Sequence, residues 1–399
     1  MKNLLLATAA TSLVAGGAFA EAHTEEVKLG ILLGYTGPLE SLAPDMEAGV
    51  NLAVAEVNES GNFMGGAMTV STVTGDTGCI DAGLAVSSAE RLITSDRVSG
   101  IVGGMCSGET GAALSNVAVP NGIVMISPSA TSPGLSDAED NGLFFRTSPS
   151  DARQGQVMTD ILNDRGFETV AVTYTNNDYG KGLADAFQSA FEASGGTVTI
   201  NAAHEDGKGD YSAEVAALAS AGGDVLVVAG YVDQGGAGIV NGALDTGAFE
   251  TFMFPDGMVS DTLEENFAEL TEGSFGQNPG SDSEGTTVFA ELGEAAGFSP
   301  TNAFSAESYD AAALILLAMQ AAESTDSQVY KDFVMDVANA PGEQILPGDL
   351  GRALELIAAG EDIDYVGASA VELIGPGESA GNYREIEMQG GEMVVVGYR

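Results

Sequence analysis

The fold prediction rests on residues 27–58, which read VKLGILLGYTGPLESLAPDMEAGVNLAVAEVN. Residues 27–34 form an apolar run rich in Leu and Ile, which predicts a buried strand. Residues 45–58 place apolar side chains at helical spacing, with Asp45 and Glu47 in the first turn, where acidic side chains favour a helix. A strand followed by a helix is the repeating unit of a parallel sheet that is covered by helices.

The same alternation continues along most of the chain and predicts two successive α/β units. Further strands are predicted at 68–74, 98–103 and 122–127 and, after a junction at 143–149, at 169–174, 197–203, 224–230 and 251–255. Further helices are predicted at 81–94, 183–193 and 306–322, and a terminal hairpin at 383–396. After Gly273 the chain is expected to return to the lobes that it has already built.

The N-terminus has the pattern of an export signal. Lys2 is followed by an apolar stretch at 4–15, and Ala18-Phe19-Ala20 has the small-x-small pattern of a signal-peptidase site. We therefore expect residues 1–20 to be a signal peptide, the mature chain to begin near Glu21, and the protein to be exported to the periplasm. No later run approaches the roughly 20 apolar residues that a spanning helix needs.

The charge balance is extreme and excludes some partners. The sequence has 13 Lys and Arg against 58 Asp and Glu, a net charge of −45 at pH 7. Nucleic acid and anionic membrane surfaces would repel such a chain. Because the acidic residues are scattered and 44% of the residues are hydrophobic, we interpret the charge as a solvated surface of a globular protein.

Cys79 and Cys106 are the two cysteines of the sequence. An exported chain meets an oxidising compartment, in which such a pair is normally joined, so we expect one disulfide. Two buried free thiols are the alternative.

In open α/β sheets, ligands bind beyond the carboxyl ends of the strands, and that rule selects four places in this sequence. They are residues 35–38, 106–108, 127–131 and, in the second half, 230–231 together with 254–256. All four carry hydroxyl, aromatic or acidic side chains beside Gly or Pro. We expect these segments to meet at one ligand site.

Catalytic and metal chemistry find little support in the sequence. Residues 104–108, GMCSG, superficially fit a Gly-x-nucleophile-x-Gly elbow, but the two histidines, His23 and His204, lie far from it in the sequence. A thiol held in a disulfide cannot attack a substrate. Paired-His, Cys-x-x-Cys and phosphate-loop spacings are absent from the sequence, so we expect neither an enzyme nor a cofactor or metal site.

Binding chemistry fits the strand ends better. The Ser107 hydroxyl and the free N–H groups of the helix after it suit a carboxylate, and Thr131 offers a second hydroxyl. Asp256, from the other half, is the best candidate partner for an ammonium group. Three aromatic side chains could enclose the apolar part of the ligand: Tyr179, Tyr231 and Phe304. Each residue also has a purely structural interpretation, as a helix cap, a turn or part of the core.

Several motifs resemble those of the periplasmic solute receptors of the leucine/isoleucine/valine-binding type, over nearly the whole mature sequence. These motifs are Gly-x-x-x-Gly-Tyr-Thr-Gly-Pro at 30–38, Asp-Thr-Gly-Cys at 76–79, Cys106-Ser107, Met-Ile-Ser-Pro-Ser-Ala-Thr at 125–131, Phe-Arg-Thr at 145–147, Asp-Tyr-Gly at 178–180, and Phe304 with Tyr-Asp-Ala at 309–311.

The resemblance implies a type I periplasmic binding fold, in which two lobes, each a mostly parallel sheet flanked by helices, are joined by a three-strand hinge. The expected lobes are residues 25–147 with 276–379, and 148–275 with 380–399. It further implies a Cys79–Cys106 disulfide, a monomer, and the membrane permease of an ATP-driven (ABC) importer as partner.

The resemblance also assigns roles in the ligand site. Ser107, Thr131 and the backbone carbonyl of Ser129 would hold the head group of an amino acid. Tyr179 and Tyr231 would line the site, and Asp256 would take the place of the glutamate that binds the ammonium group in the family.

Two departures from the family pattern concern the identity of the ligand. Asp256 is one methylene shorter than glutamate, and Leu42 takes a position where the branched-chain binders have a tyrosine. We expect an aliphatic, branched-chain amino acid, with an amide, urea or an aromatic acid as the alternative within the same family. A sugar receptor, a sensory receptor with the same fold and a hydrolase remain as further alternatives.

Overall fold

A computed structural model describes residues 25–399, so the expected signal peptide lies outside the described residues. The strands are β1 (Glu25–Leu33), β2 (Met68–Asp76), β3 (Gly100–Gly103), β4 (Met125–Ser127), β5 (Phe144–Pro149), β6 (Thr169–Thr175), β7 (Thr197–His204), β8 (Val225–Ala229), β9 (Phe252–Phe254), β10 (Phe275–Pro279), β11 (Glu343–Ile345), β12 (Ile363–Tyr365), β13 (Leu373–Ile374), β14 (Glu378–Ser379), β15 (Tyr383–Gln389) and β16 (Glu392–Tyr398).

The helices alternate with these strands, as the sequence predicts. They are α1 (Ala43–Ser60), α2 (Ala82–Arg91), α3 (Ser107–Ala113), α4 (Val119–Asn121), α5 (Asp151–Arg165), α6 (Asp178–Ala193), α7 (Ser212–Ala221), α8 (Gly235–Thr246), α9 (Asp261–Phe267), α10 (Glu284–Ala296), α11 (Ser305–Ala321), α12 (Ser327–Tyr330), α13 (Val334–Ala338) and α14 (Leu350–Ala358). Helices α2 and α3 each continue into a π-helical turn, Leu92–Asp96 and Leu114–Ala118. None of the described helices is long and apolar enough to cross a membrane.

Two sheets of seven strands confirm the predicted fold class. The first has the order β13-β14-β5-β4-β3-β1-β2, the second has the order β16-β15-β10-β9-β8-β6-β7, and β11 pairs with β12 in a small third sheet. Most neighbouring strands are parallel, and the antiparallel pairs lie at one edge of each sheet. The chain crosses between the two sheets three times, after β5, after β10 and after β14, which is the expected three-strand hinge.

One expected lobe boundary, between residues 275 and 276, does not agree with the hydrogen bonds between the strands. It divides β10, whereas all five residues of that strand pair with β15 in the second sheet. The residues on both sides of this boundary, Phe275 and Gly276, also pair with β9 of the same sheet. By hydrogen bonding, residues 276–279 therefore belong with the second sheet. The boundary between residues 147 and 148 likewise falls inside β5, which ends at Pro149.

Helix α6 begins at Asp178, five residues before the predicted start. The Asn177 side chain caps the helix by accepting a hydrogen bond from the Gly180 N–H at 3.0 Å. Gly180 permits this first turn because a Cβ atom there would lie 2.2 Å from the carbonyl oxygen of Thr175. The earlier start brings Tyr179 into the first turn of the helix, where its side chain is buried.

The expected disulfide is present between Cys79 and Cys106 and ties the loop after β2 to the start of α3. Its loop spans 27 residues, for which the chain-entropy model gives about 3 to 4 kcal/mol of stabilisation. We predict that replacing both cysteines by Ala lowers the free energy of unfolding by that amount, as measured by denaturant titration. A double variant with an unchanged unfolding midpoint would contradict this prediction.

Candidate ligand-binding site

A small cavity of about 10 Å³ lies where the carboxyl ends of the two sheets face each other. Its walls come from the segments after β1, β3 and β4 in the first sheet and after β6, β8 and β9 in the second. The lining residues are Leu39, Met105, Cys106, Ser107, Ser129, Tyr179, Tyr231, Asp256, Gly257 and Phe304. Six of the eight predicted site residues therefore border one cavity: Ser107, Ser129, Tyr179, Tyr231, Asp256 and Phe304.

Ser107 is the first residue of α3 and is buried. Its Oγ accepts a hydrogen bond from the backbone N–H of Ser132 at 3.1 Å. The hydroxyl proton is thereby left to donate to another group. Cys106 is the N-cap residue of the helix, so Ser107 is not the cap itself.

The loop after β4 is fixed by hydrogen bonds of its own side chains. Ser127 Oγ accepts from the N–H groups of Ser129 at 3.3 Å and Ala130 at 2.9 Å, and Ser129 Oγ donates to the Met105 carbonyl at 2.8 Å. These bonds tie the loop to the segment that carries Ser107. Thr131 is buried at the end of this loop, and its hydroxyl has no hydrogen-bond partner of acceptable geometry. Thr131 lies beside the cavity but is not among the residues that line it.

Asp256 presents one satisfied and one free carboxylate oxygen. Oδ1 accepts from the Tyr179 hydroxyl at 2.7 Å and from the Gly257 N–H at 2.8 Å. Oδ2 is buried, and no hydrogen bond of good geometry reaches it from the described residues, although the Gln154 side chain lies close enough to lower the pKa of this carboxyl. Burial raises the pKa of the Asp256 carboxyl, and the hydrogen bond from Tyr179 opposes that rise. A buried acceptor without a partner costs stability, so a donor from a ligand would be favourable here.

The rings of Tyr179 and Tyr231 are stacked, with centroids 5.2 Å apart and planes 13° apart. Both rings are buried and line the cavity. The Tyr231 hydroxyl accepts a hydrogen bond from the Asn177 side chain at 3.3 Å, which orients the ring. Together the two rings form a flat apolar wall on the side of the second sheet.

Leu42 was predicted to lie in the ligand site, but the structure does not place it at the cavity. It is buried in the core directly before α1 and does not line the cavity, whereas Leu39 does. Five residues lie between the end of β1 and Leu39, and Leu39 is the leucine of this loop that lines the cavity. On the same side, Phe304 lines the cavity from a left-handed backbone position, φ 67°, immediately before α11.

Two buried polar residues that the sequence analysis missed lie next to the site. Within residues 25–399, neither carboxylate oxygen of Asp151, the first residue of α5, accepts a hydrogen bond of good geometry. The Gln154 amide, one turn later, also lacks a well-formed hydrogen bond there but lies close enough to Asp256 to lower its pKa. Burial raises the pKa of the Asp151 carboxyl, and the nearby Asp256 carboxylate raises it further. Thr131 and Arg146 oppose that rise. Asp151 directly follows β5, so the strand-end rule itself could have selected it.

Glu109 is a third buried acid near the cavity, with a structural role. Its Oε1 accepts from the N–H groups of Met105 at 2.8 Å and Cys106 at 2.9 Å, which completes a capping box at the start of α3. Burial raises the pKa of Glu109 to about 8, and these hydrogen bonds oppose the rise. The described residues contain no cluster of His, Cys, Asp and Glu side chains that could hold a metal ion.

Two mostly parallel sheets, three crossings and a cavity between the sheet ends that combines apolar walls with a few polar groups define a two-lobed solute-binding protein of type I. A sequence profile of the periplasmic binding protein family matches residues 26–334. The chain therefore belongs to the periplasmic binding protein family, whose members bind solutes.

Known relatives agree in sequence and in fold. The Leu/Ile/Val-binding protein homolog 3 of Brucella melitensis is 33% identical over 219 residues, which span 55% of this chain and 58% of that protein. The Leu/Ile/Val-binding protein BraC3 of Rhizobium johnstonii is 28% identical over 374 residues, 92% of this chain and 96% of the relative. The crystal structure of the leucine-binding protein LivK of Thermotoga maritima has the same fold, with a TM-score of 0.78 at 22% identity, over 93% of this chain and 98% of that one.

Proposed function

We propose that this chain is an extracytoplasmic receptor that captures an aliphatic amino acid and presents it to the permease of an ABC importer. One observation carries the proposal: a single small cavity has a free hydroxyl donor, Ser107, on one sheet and a free carboxylate acceptor, Asp256 Oδ2, on the other. The two groups complement the two ends of an amino acid zwitterion. The Leu/Ile/Val-binding names of the relatives support a branched-chain ligand.

The carboxylate end of the ligand would face the first sheet. Ser107 donates its hydroxyl proton, and the N–H groups at the start of α3 add a favourable field for an anion. Thr131 would add a second hydroxyl donor after its side chain turns away from Asp151, whose pKa it lowers. Ser129 would contribute its backbone carbonyl to the head group.

The ammonium end would face Asp256, with Asp151 behind it. The Asp256 carboxylate raises the pKa of Asp151, because two buried negative charges close together are unfavourable. A bound ammonium group would compensate the charge of Asp256. The stacked Tyr179 and Tyr231 rings and Phe304 would then enclose the aliphatic side chain.

We propose further that the protein works as a monomer that is exported to the periplasm and closes by rotation about the three crossings. With the boundaries moved to the ends of β5 and β10, the lobes would be residues 25–149 with 280–379, and 150–279 with 380–399. Closure of one lobe on the other would signal occupancy to the permease. In this function the ligand is bound and released unchanged.

The carboxylate assignment predicts the effect of two substitutions. Ser107→Ala and Thr131→Ala should each weaken the binding of an aliphatic amino acid by about 1 to 3 kcal/mol, because a charged group loses a hydrogen bond. Isothermal titration calorimetry measures the change. Ser115→Ala is the matched control: this serine is exposed and bonds only to the Gly111 carbonyl of its own helix. Unchanged affinity in both site variants would exclude the carboxylate assignment.

A further inference from the structure

A second cavity, of about 60 Å³, is also bordered by Phe304 and is built from the hinge. Phe304 borders both this hinge cavity and the ligand cavity. The polar side chains that define the hinge cavity are Asn278, Ser281, Glu307, Ser369, Arg384 and Tyr398. They come from β10, β15 and β16 of the second sheet and from the loops and helix starts around α10 and α11.

Glu307 brings a buried carboxyl group to this cavity. It lies in the first turn of α11 with 3% of its surface exposed. Its own backbone N–H donates to the carboxyl, and no hydrogen bond or ion pair from another residue within 25–399 reaches it. Burial raises the pKa of Glu307 to about 8, and Arg384 is the cationic group that opposes the rise.

Arg384 brings a guanidinium group to the same cavity without a carboxylate partner. Its Nε donates to Asn278 Oδ1 at 3.1 Å and its Nη2 to the Thr301 carbonyl at 2.7 Å, and both acceptors are neutral. No carboxylate of the described chain lies within ion-pair distance, 4.0 Å, of Arg384. One nitrogen, Nη1, is left free to donate.

An acid and a guanidinium therefore border one cavity without forming an ion pair with each other. Removing charges from water is costly unless each finds a counter-charge or hydrogen bonds. We propose that the hinge cavity is a second binding site, for a small zwitterion whose cationic group faces Glu307 and whose anionic group faces Arg384. Binding ionises Glu307 and releases its proton to solvent.

The position of the hinge cavity gives its occupant a mechanical role. Asn278 and Arg384 belong to strands of the second sheet, whereas Glu307 belongs to α11, which packs against α1 and β5 beside the first sheet. A molecule bound in the hinge cavity contacts both the second sheet and α11, and it therefore fixes the angle between the two sheets. Phe304, which borders both cavities, connects that occupant to the ligand site.

Calorimetric titration with glycine tests the second site. The titrated protein is the full exported chain with Ser107→Ala and Asp256→Asn, which removes the head-group contacts of the ligand cavity. We expect glycine to bind this double variant, and the addition of Glu307→Gln to weaken binding at least tenfold. Glu250→Gln, at an exposed acid far along the chain, should leave the affinity unchanged.

Two outcomes would overturn the proposal. One is the absence of any glycine binding to the double variant at millimolar concentration, with the thermal unfolding showing that the variant is folded. The other is glycine affinity that Glu307→Gln leaves unchanged, which would assign the binding to another place. Neither outcome bears on the proposed function, which depends on binding of an aliphatic amino acid by the unmodified protein.

Discussion

Asp256→Asn is expected to weaken the binding of an aliphatic amino acid by about 100-fold or more. Removing one partner of a buried ion pair costs about 3 to 5 kcal/mol, and each 1.4 kcal/mol changes affinity about tenfold. Asp256 is 1% exposed, so water cannot replace the lost charge. Calorimetry with isoleucine measures the loss.

The deaminated analogue of the same amino acid provides the control for this prediction. It has the carboxylate and the side chain but no ammonium group, so Asp256→Asn should weaken its binding far less than that of the amino acid. Asp245→Asn, at an exposed residue of α8, should change neither affinity. Equal losses for the amino acid and the analogue would remove Asp256 from the ammonium site.

Glu307→Gln is expected to stabilise the ligand-free protein by about 3 kcal/mol at pH 7. The folded chain holds the Glu307 proton up to a pKa of about 8, against a usual value of 4.5. Between these two values the folded state binds more protons than the unfolded state, so stability falls as pH rises. Glutamine stays uncharged and avoids this loss.

The difference between Glu307→Gln and the unmodified protein should therefore depend on pH. It should be close to zero near pH 4, where the unfolded state is also protonated, and it should grow steadily toward pH 8. Thermal unfolding of both proteins across this range measures it. Two results would contradict the prediction that burial keeps Glu307 protonated in the folded chain. One is a glutamine variant that is less stable than the unmodified protein at pH 7, and the other is a stability difference between the two proteins that does not change with pH.

The sequence predicted the sheets and much of the site for one physical reason. Parallel strands place their carboxyl ends at one edge, so Ser107, Ser129, Tyr231 and Asp256 could be selected from the residues that follow predicted strands. The structure places all four at the same cavity. The geometry shows which residues are neighbours and which hydrogen-bonding groups are free. The roles of the four residues in binding a ligand remain predictions.

Other features depend on contacts between distant parts of the chain. Leu39 rather than Leu42 borders the cavity, although both leucines are buried in the core, so their positions in the sequence do not decide which of them lines it. The pairing of β10 with β15 joins residues more than 100 positions apart and leaves no local pattern. The strand-end rule could have selected Asp151 as a candidate, but its burial beside Asp256 depends on contacts that the sequence does not show.

If the cavity between the two sheets binds an amino acid by both of its charged ends, ligands that lack either end should bind poorly. Calorimetric titration of the purified chain with leucine, isoleucine, valine, urea and 4-hydroxybenzoate measures this selectivity. We predict one bound molecule per chain for at least one of the three amino acids and none for urea or 4-hydroxybenzoate. Binding of urea or of the aromatic acid, without binding of any amino acid, would contradict the claim.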